Sequence, residues 1–127
     1  MIERVEEFSH DGKNFVYIDF SELNTGNDFI ELIEAAKLII AKYPENSLYT
    51  IANFENVIFD SRLKMIVAEY MRYNKPYVKY GVIIGIAGIP KIMTRSIFAI
   101  SERSNIFFAY SKEKAIELLL QQGVIKA

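Results

Sequence analysis

The sequence predicts an α/β fold, a single domain over residues 1–127 with the element order ββαβαβαβα. Three observations lead there. The apolar runs Leu48 to Ile51 and Val82 to Ile84 have strand length and suit strands covered on both faces. Between such runs lie stretches whose apolar residues recur at helical spacing, bounded by capping and breaking residues. Strands alternating with helices imply right-handed crossovers onto a mostly parallel sheet, and a tight turn between the first two strands makes that sheet mixed.

Val5 to Phe8 and Phe15 to Phe20 alternate as strands do, and His10-Asp11-Gly12-Lys13 between them reads as a hairpin turn because Asp-Gly accepts positive φ. Ser21 to Asn27 is then a polar loop. Asp28-Phe29-Ile30-Glu31 opens a first helix in the acidic form of a capping pattern. Phe29, Leu32, Ile33, Ala36, Ile40 and Tyr43 share its face, and Pro44 stops it. The central strand starts near Leu48 and passes through the loop Asn53 to Phe59. Asp60-Ser61 supplies capping oxygens ahead of Leu63, Ile66, Val67 and Tyr70, and this second helix ends near Asn74-Lys75-Pro76, since proline disfavours helix in its predecessor. Val78 to Ile86 is the next strand. Pro90 suits the first position of a third helix with the stripe Ile89, Ile92, Met93, Ser96, Ile97 and Ile100. Asn105 to Tyr110 gives the last strand. Ser111 caps a final helix whose Ala115, Leu118, Leu119 and Gln122 share a face, with Gly123 as its stop.

The 127 residues are 51% hydrophobic and include nine Phe and eight Tyr, enough to fill one core without disulfides and too apolar for a disordered chain. Without cysteine there is no thiol nucleophile and no thiolate metal site, and the one histidine, His10, lies in the hairpin turn. Asp19, Glu55 and Asp60 could converge at the strand ends for acid–base work, but Asp60 is accounted for as a helix cap and Asp19 as a strand-end residue. The expectation is no catalytic residue, no metal and no cofactor. A net charge of −1 offers no basic excess to nucleic acid. The longest apolar segment, Gly81 to Pro90, is too short to span a bilayer, and the acidic Met1 to Glu7 lacks a signal-peptide core. A soluble cytoplasmic protein that is not integral to a membrane is expected.

Two places could carry function. One is the turn holding Gly85, Gly88, Lys91, Thr94 and Arg95, where backbone N–H groups and a helix dipole would meet an anion or ligand. It lacks both the GxGxxG order and the GK[ST] ending, so close backbone packing is the competing reading. The other is Asp60, Ser61, Arg62 and Met65. Met65 points away from the apolar stripe, among the charges Arg62, Lys64, Glu69 and Arg72, as a methionine on a partner surface does. The tyrosines Tyr70, Tyr73, Tyr77 and Tyr80 read as core and rim packing, or as the lining of a cleft for an apolar ligand.

Asn53-Phe54-Glu55-Asn56-Val57-Ile58-Phe59-Asp60-Ser61-Arg62-Leu63 resembles the STAS domains, the family of bacterial anti-sigma-factor antagonists, which place an Asp-Ser pair at the start of the helix after a central strand. Asn74-Lys75-Pro76-Tyr77-Val78-Lys79 and Gly85-Ile86-Ala87-Gly88 look like the small bacterial STAS/CRAL-TRIO-like proteins. The resemblance implies a non-catalytic regulatory or sensing module acting on a protein partner, a second copy of the chain included. The CRAL-TRIO side of it implies instead a binder of a small apolar or lipid ligand. In the antagonists a second serine follows the pair and is phosphorylated by a partner kinase. Here Arg62 stands in its place and Leu63-Lys64 replaces the glycines that follow, so Ser61 is the one hydroxyl of the motif open to modification. A phosphate on it would sit at a helix N-terminus beside Arg62.

Overall fold

In the computed structural model of the protein, which describes residues 1–122, a short 3-10 turn, Ile2–Arg4, leads into a hairpin of β1 (Val5–His10) and β2 (Lys13–Asp19). Asp11 and Gly12 take φ of 51° and 76°, the paired positive values of a two-residue hairpin turn, so that His10 pairs with Lys13 across it. Then come α1 (Gly26–Ile40), β3 (Leu48–Asn53), α2 (Ser61–Asn74), β4 (Val78–Ile84), α3 (Lys91–Ser101), β5 (Ile106–Ala109) and α4 (Lys112–Gln121). The fold is α/β in the order the sequence predicts. Its sheet runs β1-β2-β3-β4-β5, with β1 antiparallel to β2 and each later pair parallel.

Strands laid down in chain order by crossovers of one hand put every crossover helix on the same side. α1, α2 and α3 accordingly share one face, where Phe29, Leu32, Leu63, Val67 and Ile97 join Val16, Ile18 and Ile83 in one core. α4 follows the last strand and packs on the opposite face, its Ala115 and Leu119 clustered with Tyr49, Ile51, Val82 and Ile84. The period of two in a strand divides β3 between these cores: Leu48 and Ala52 belong to the first, Tyr49 and Ile51 to the second. Phe20, wholly buried, stacks at 5.2 Å on Phe29 of α1 and at 5.0 Å on Phe54 just after β3. That sandwich fixes α1 against the far end of the central strand.

Element ends depart from expectation where local hydrogen bonding overrides pattern. α1 starts earlier than the acidic pattern at Asp28 suggests: Thr25 is its cap, with Oγ1 accepting from the Asp28 N–H at 3.1 Å. It ends at Ile40, because Ala41, Lys42 and Tyr43 form turns, although Tyr43 still packs on the core. β4 stops at Ile84, two residues short of the expected Ile86, since Gly85 turns the chain with φ 78°. Pro90 is the residue before α3 rather than its first, at ψ 139°, and the helix turns Ile92 outward with 77% of its surface exposed. Ile97 and Ser101 are the buried positions of α3, with Met93 and Phe98 half-buried. β5 is trimmed to four residues, leaving Tyr110 almost fully exposed. The four tyrosines do not form one cleft: Tyr70 is buried with α2, whereas Tyr80 packs beneath α4 beside Tyr49 and Phe107. The expected stop at Gly123 lies outside the described residues.

Gly85 tests how tightly the β4 end is held. Its φ is positive, and a Cβ there would lie 2.5 Å from the Glu55 backbone nitrogen and 2.8 Å from Asn53 Oδ1. Gly85→Ala should therefore destabilise the fold by about 2 kcal/mol or more in urea denaturation, the sum of left-handed backbone cost and steric conflict. Gly88, whose Cβ position is open space, should tolerate alanine to within about 0.5 kcal/mol. Equal stabilities for the two variants would refute this placement of the turn.

Candidate functional site

The β3–α2 loop is tied to its neighbours on both sides by main chain. Glu22 N–H donates to Glu55 O and Phe20 N–H to Asn53 O, both at 2.9 Å, while Phe54 N–H donates to Ile84 O at 3.0 Å. Asn53 braces the turn from within: its Oδ1 accepts from Glu55 N–H at 2.9 Å and its Nδ2 donates to the Tyr17 hydroxyl at 3.1 Å. Asn56 supplies the left-handed residue, φ 59°. Phe54, Val57 and Phe59 turn inward, and Ile58, alternating with them, is left 79% exposed.

Asp60 stands where the sequence puts it, with extended backbone and Oδ1 accepting from Leu63 N–H at 2.8 Å. Ser61 and Arg62 are the first two residues of α2, both exposed, and Met65 is 42% exposed on the side away from Leu63 and Val67. Arg62 reaches across to α1: a Cβ on Gly26 would lie 2.8 Å from its Cζ. Asp60, Ser61, Arg62 and Met65 thus lie exposed at the N-terminal end of α2, shortly after the exposed Ile58, with Arg62 against the first turn of α1.

The second candidate group is more scattered. Gly85 is pressed against Glu55, so its backbone faces protein. Gly88, Lys91 and Arg95 are exposed. No side chain caps α3. Thr94 lines a small apolar crevice of about 20 Å³ between α2 and α3, with Phe54, Phe59, Ile86, Ile89 and Phe98 among its walls. The crevice lies between the two candidate groups and draws Thr94 from one and the loop of the other.

Two features were not singled out from the sequence. Ile58 had a signal, because three apolar residues in a row, Val57-Ile58-Phe59, cannot all face inward before an exposed cap. Arg103 had none, since arginines are seldom buried. It is 8% exposed, with Nη1 donating to Met71 O at 2.9 Å and Nε to Asn105 Oδ1 at 3.0 Å. Desolvation pulls its pKa down to about 10, and Tyr70 opposes the shift. Burial also pushes the Tyr70 phenol up, against lowering by Asn74 and Arg103.

Among the described residues no group of three or more Asp, Glu or His could hold a metal ion, and no helix is long and apolar enough to cross a membrane. No family model matches the chain, and no curated protein or solved structure does either. The likeness to STAS domains therefore rests on the sequence pattern and the element order.

The cap can be separated from charge. Asp60→Ala should cost about 0.5 to 2 kcal/mol in thermal or urea unfolding, whereas Asp60→Asn, whose amide oxygen still caps, should cost a few tenths at most. An alanine variant as stable as wild type would show that the carboxylate does not hold the start of α2.

Proposed function

We propose that this protein is a non-catalytic, STAS-like regulatory or sensing module that works by binding another protein. Its contact surface is centred on Asp60, Ser61, Arg62 and Met65 and extended by Ile58. The observation that carries this reading is the exposure of Ile58 and Met65, at 79% and 42%, beside a loop held by main-chain bonds on both sides. A fixed loop presents apolar side chains without the ordering cost of a mobile one. Arg62 is exposed and Lys64 half-exposed at its rim, while the Asp60 carboxylate is engaged with its own helix. The matching partner surface is apolar with an acidic rim.

A second reading, binding of a small apolar or lipid ligand, is supported by the crevice between α2 and α3, whose walls are apolar except for Thr94. At about 20 Å³ it has room for roughly one water-sized group, so Phe59, Ile89 and Phe98 would have to part to admit a ligand.

One experiment separates the readings. Tagged wild type, Met65→Glu and Ile58→Asp are used to isolate partners, and native mass spectrometry is run on the same preparations. A partner whose affinity falls about 30-fold or more in either variant, at unchanged melting temperature, supports the module. A partner that both variants retain equally rejects the proposed surface. A bound apolar mass in place of a partner transfers the function to the crevice.

A further inference from the structure

Beneath the C-terminal half of α2 lies a partly open cavity of mixed lining that the proposed docking surface does not use. Thr50 and Ala52 of β3 have small side chains, and a space of about 30 Å³ lies over them, lined also by Ile18, Met71 and Ile106. Tyr70, Asn74 and Arg103 also line it, and each is more than nine-tenths buried. Arg103 Nη2 has no hydrogen-bond partner, and Tyr70 Oη and Asn74 Oδ1 make no bond within 3.5 Å, although the Asn74 amide is near enough to the Tyr70 hydroxyl to lower its pKa. Three orphaned polar atoms around one cavity mark a place where a polar occupant belongs, because each buried unpaired group costs a net hydrogen bond or more.

Charge selects the occupant. The Arg103 guanidinium carries a full positive charge at neutral pH, and no carboxylate pairs with it among the described residues. Its bonds to Met71 O and Asn105 Oδ1 engage neutral acceptors and use Nη1 and Nε alone. The α2 C-terminus offsets part of the charge through its dipole, roughly half an elementary charge. What remains is a buried cation with one free nitrogen, on a side chain that lines the cavity, and a phenol near enough to act on its charge. Asn74 completes the site with its amide turned so that Nδ2, a donor, takes the place of the unpartnered Oδ1.

We propose that this cavity is a binding site for one small monovalent anion, of halide or carboxylate size, held by Arg103 Nη2, the Tyr70 hydroxyl and the Asn74 side chain. The anion is either a free inorganic ion or the carboxylate end of an apolar acid. The second source requires the wall between the cavity and the apolar crevice, which share Phe54, Met71 and Ile83, to part at Met71, a flexible side chain. Space sets the upper limit: roughly one or two water-sized groups fit, which excludes phosphate esters and nucleotides.

The full chain, dialysed into gluconate buffer, is titrated with chloride, nitrate, acetate and hexanoate, with gluconate added at matched ionic strength as the control. The readouts are the Arg103 Nε–H NMR signal and calorimetry. A saturable shift of that signal with at least one of these anions, and none with the control, is expected. Tyr70→Phe keeps the ring and removes one donor, so it should bind that anion about tenfold more weakly while still folding. Ala52→Val narrows the cavity and should abolish the shift. Hexanoate binding more tightly than acetate identifies the carboxylate of an apolar acid, and halide or acetate binding as well as hexanoate identifies a free ion. If no anion moves the Arg103 signal beyond the control, or if Tyr70→Phe binds as wild type does, the occupant is water and the proposal falls.

Discussion

The packing of the β4 end against the loop that follows β3 is the constraint on which the rest of this structure depends. Gly85 comes so close to Glu55 that no side chain fits between them. That contact, with the Phe54 N–H to Ile84 O bond, holds the loop on one side, and Glu22 N–H to Glu55 O holds it on the other. Phe54 is thereby set into the stack with Phe20 and Phe29, so α1, β3 and β4 are registered through one buried aromatic group. The direction in which α2 leaves the sheet follows, because Asp60 caps it only a few residues later.

Much of this was legible in the sequence because it is local. Asp11-Gly12 marks a turn by its backbone preferences, Asp60 marks a helix start by its carboxylate, and the Val82-Ile83-Ile84 run marks a strand buried on both faces. Each of these signals depends on neighbours within a few residues. The misplaced ends have a common cause. The sequence pattern points to Asp28 and Pro90 as the first residues of α1 and α3, whereas the hydrogen bonds of the folded chain start these helices at Gly26, capped by Thr25, and at Lys91. Counting from Ile89 puts Ile92 in the apolar stripe, but Ile89 lies before the helix and is no guide to its phase.

The candidate site was legible in part for the same reason. Asp60, Ser61, Arg62 and Met65 are close in sequence, so helical geometry alone puts them on one end of α2. Their relation to Gly26 of α1 and to the crevice walls of α3 is tertiary, set by which strands are neighbours. Arg103 belongs wholly to this second kind. It lies between α3 and β5, and although Asn105 is a local partner, its bond to Met71 O of α2 and its place beside Thr50 and Ala52 are set by the tertiary fold.

The two ends of α2 therefore meet opposite demands. At the N-terminal end Asp60 places a negative charge against the positive end of the dipole, and the arrangement is satisfied within the helix itself. At the C-terminal end Arg103 places a cation against the negative end, but inside the core, where its charge is far more expensive to hold. A methionine or leucine would tie the α3–β5 loop to α2 by packing alone, without desolvating a guanidinium. Clamping the loop also needs no third nitrogen: the bonds to Met71 O and Asn105 Oδ1 leave Nη2 over, on a side chain that lines a cavity together with Thr50 and Ala52. A structural clamp accounts for two of the nitrogens of Arg103. The space, the surplus nitrogen and the phenol beside it are accounted for together by an occupant that carries negative charge.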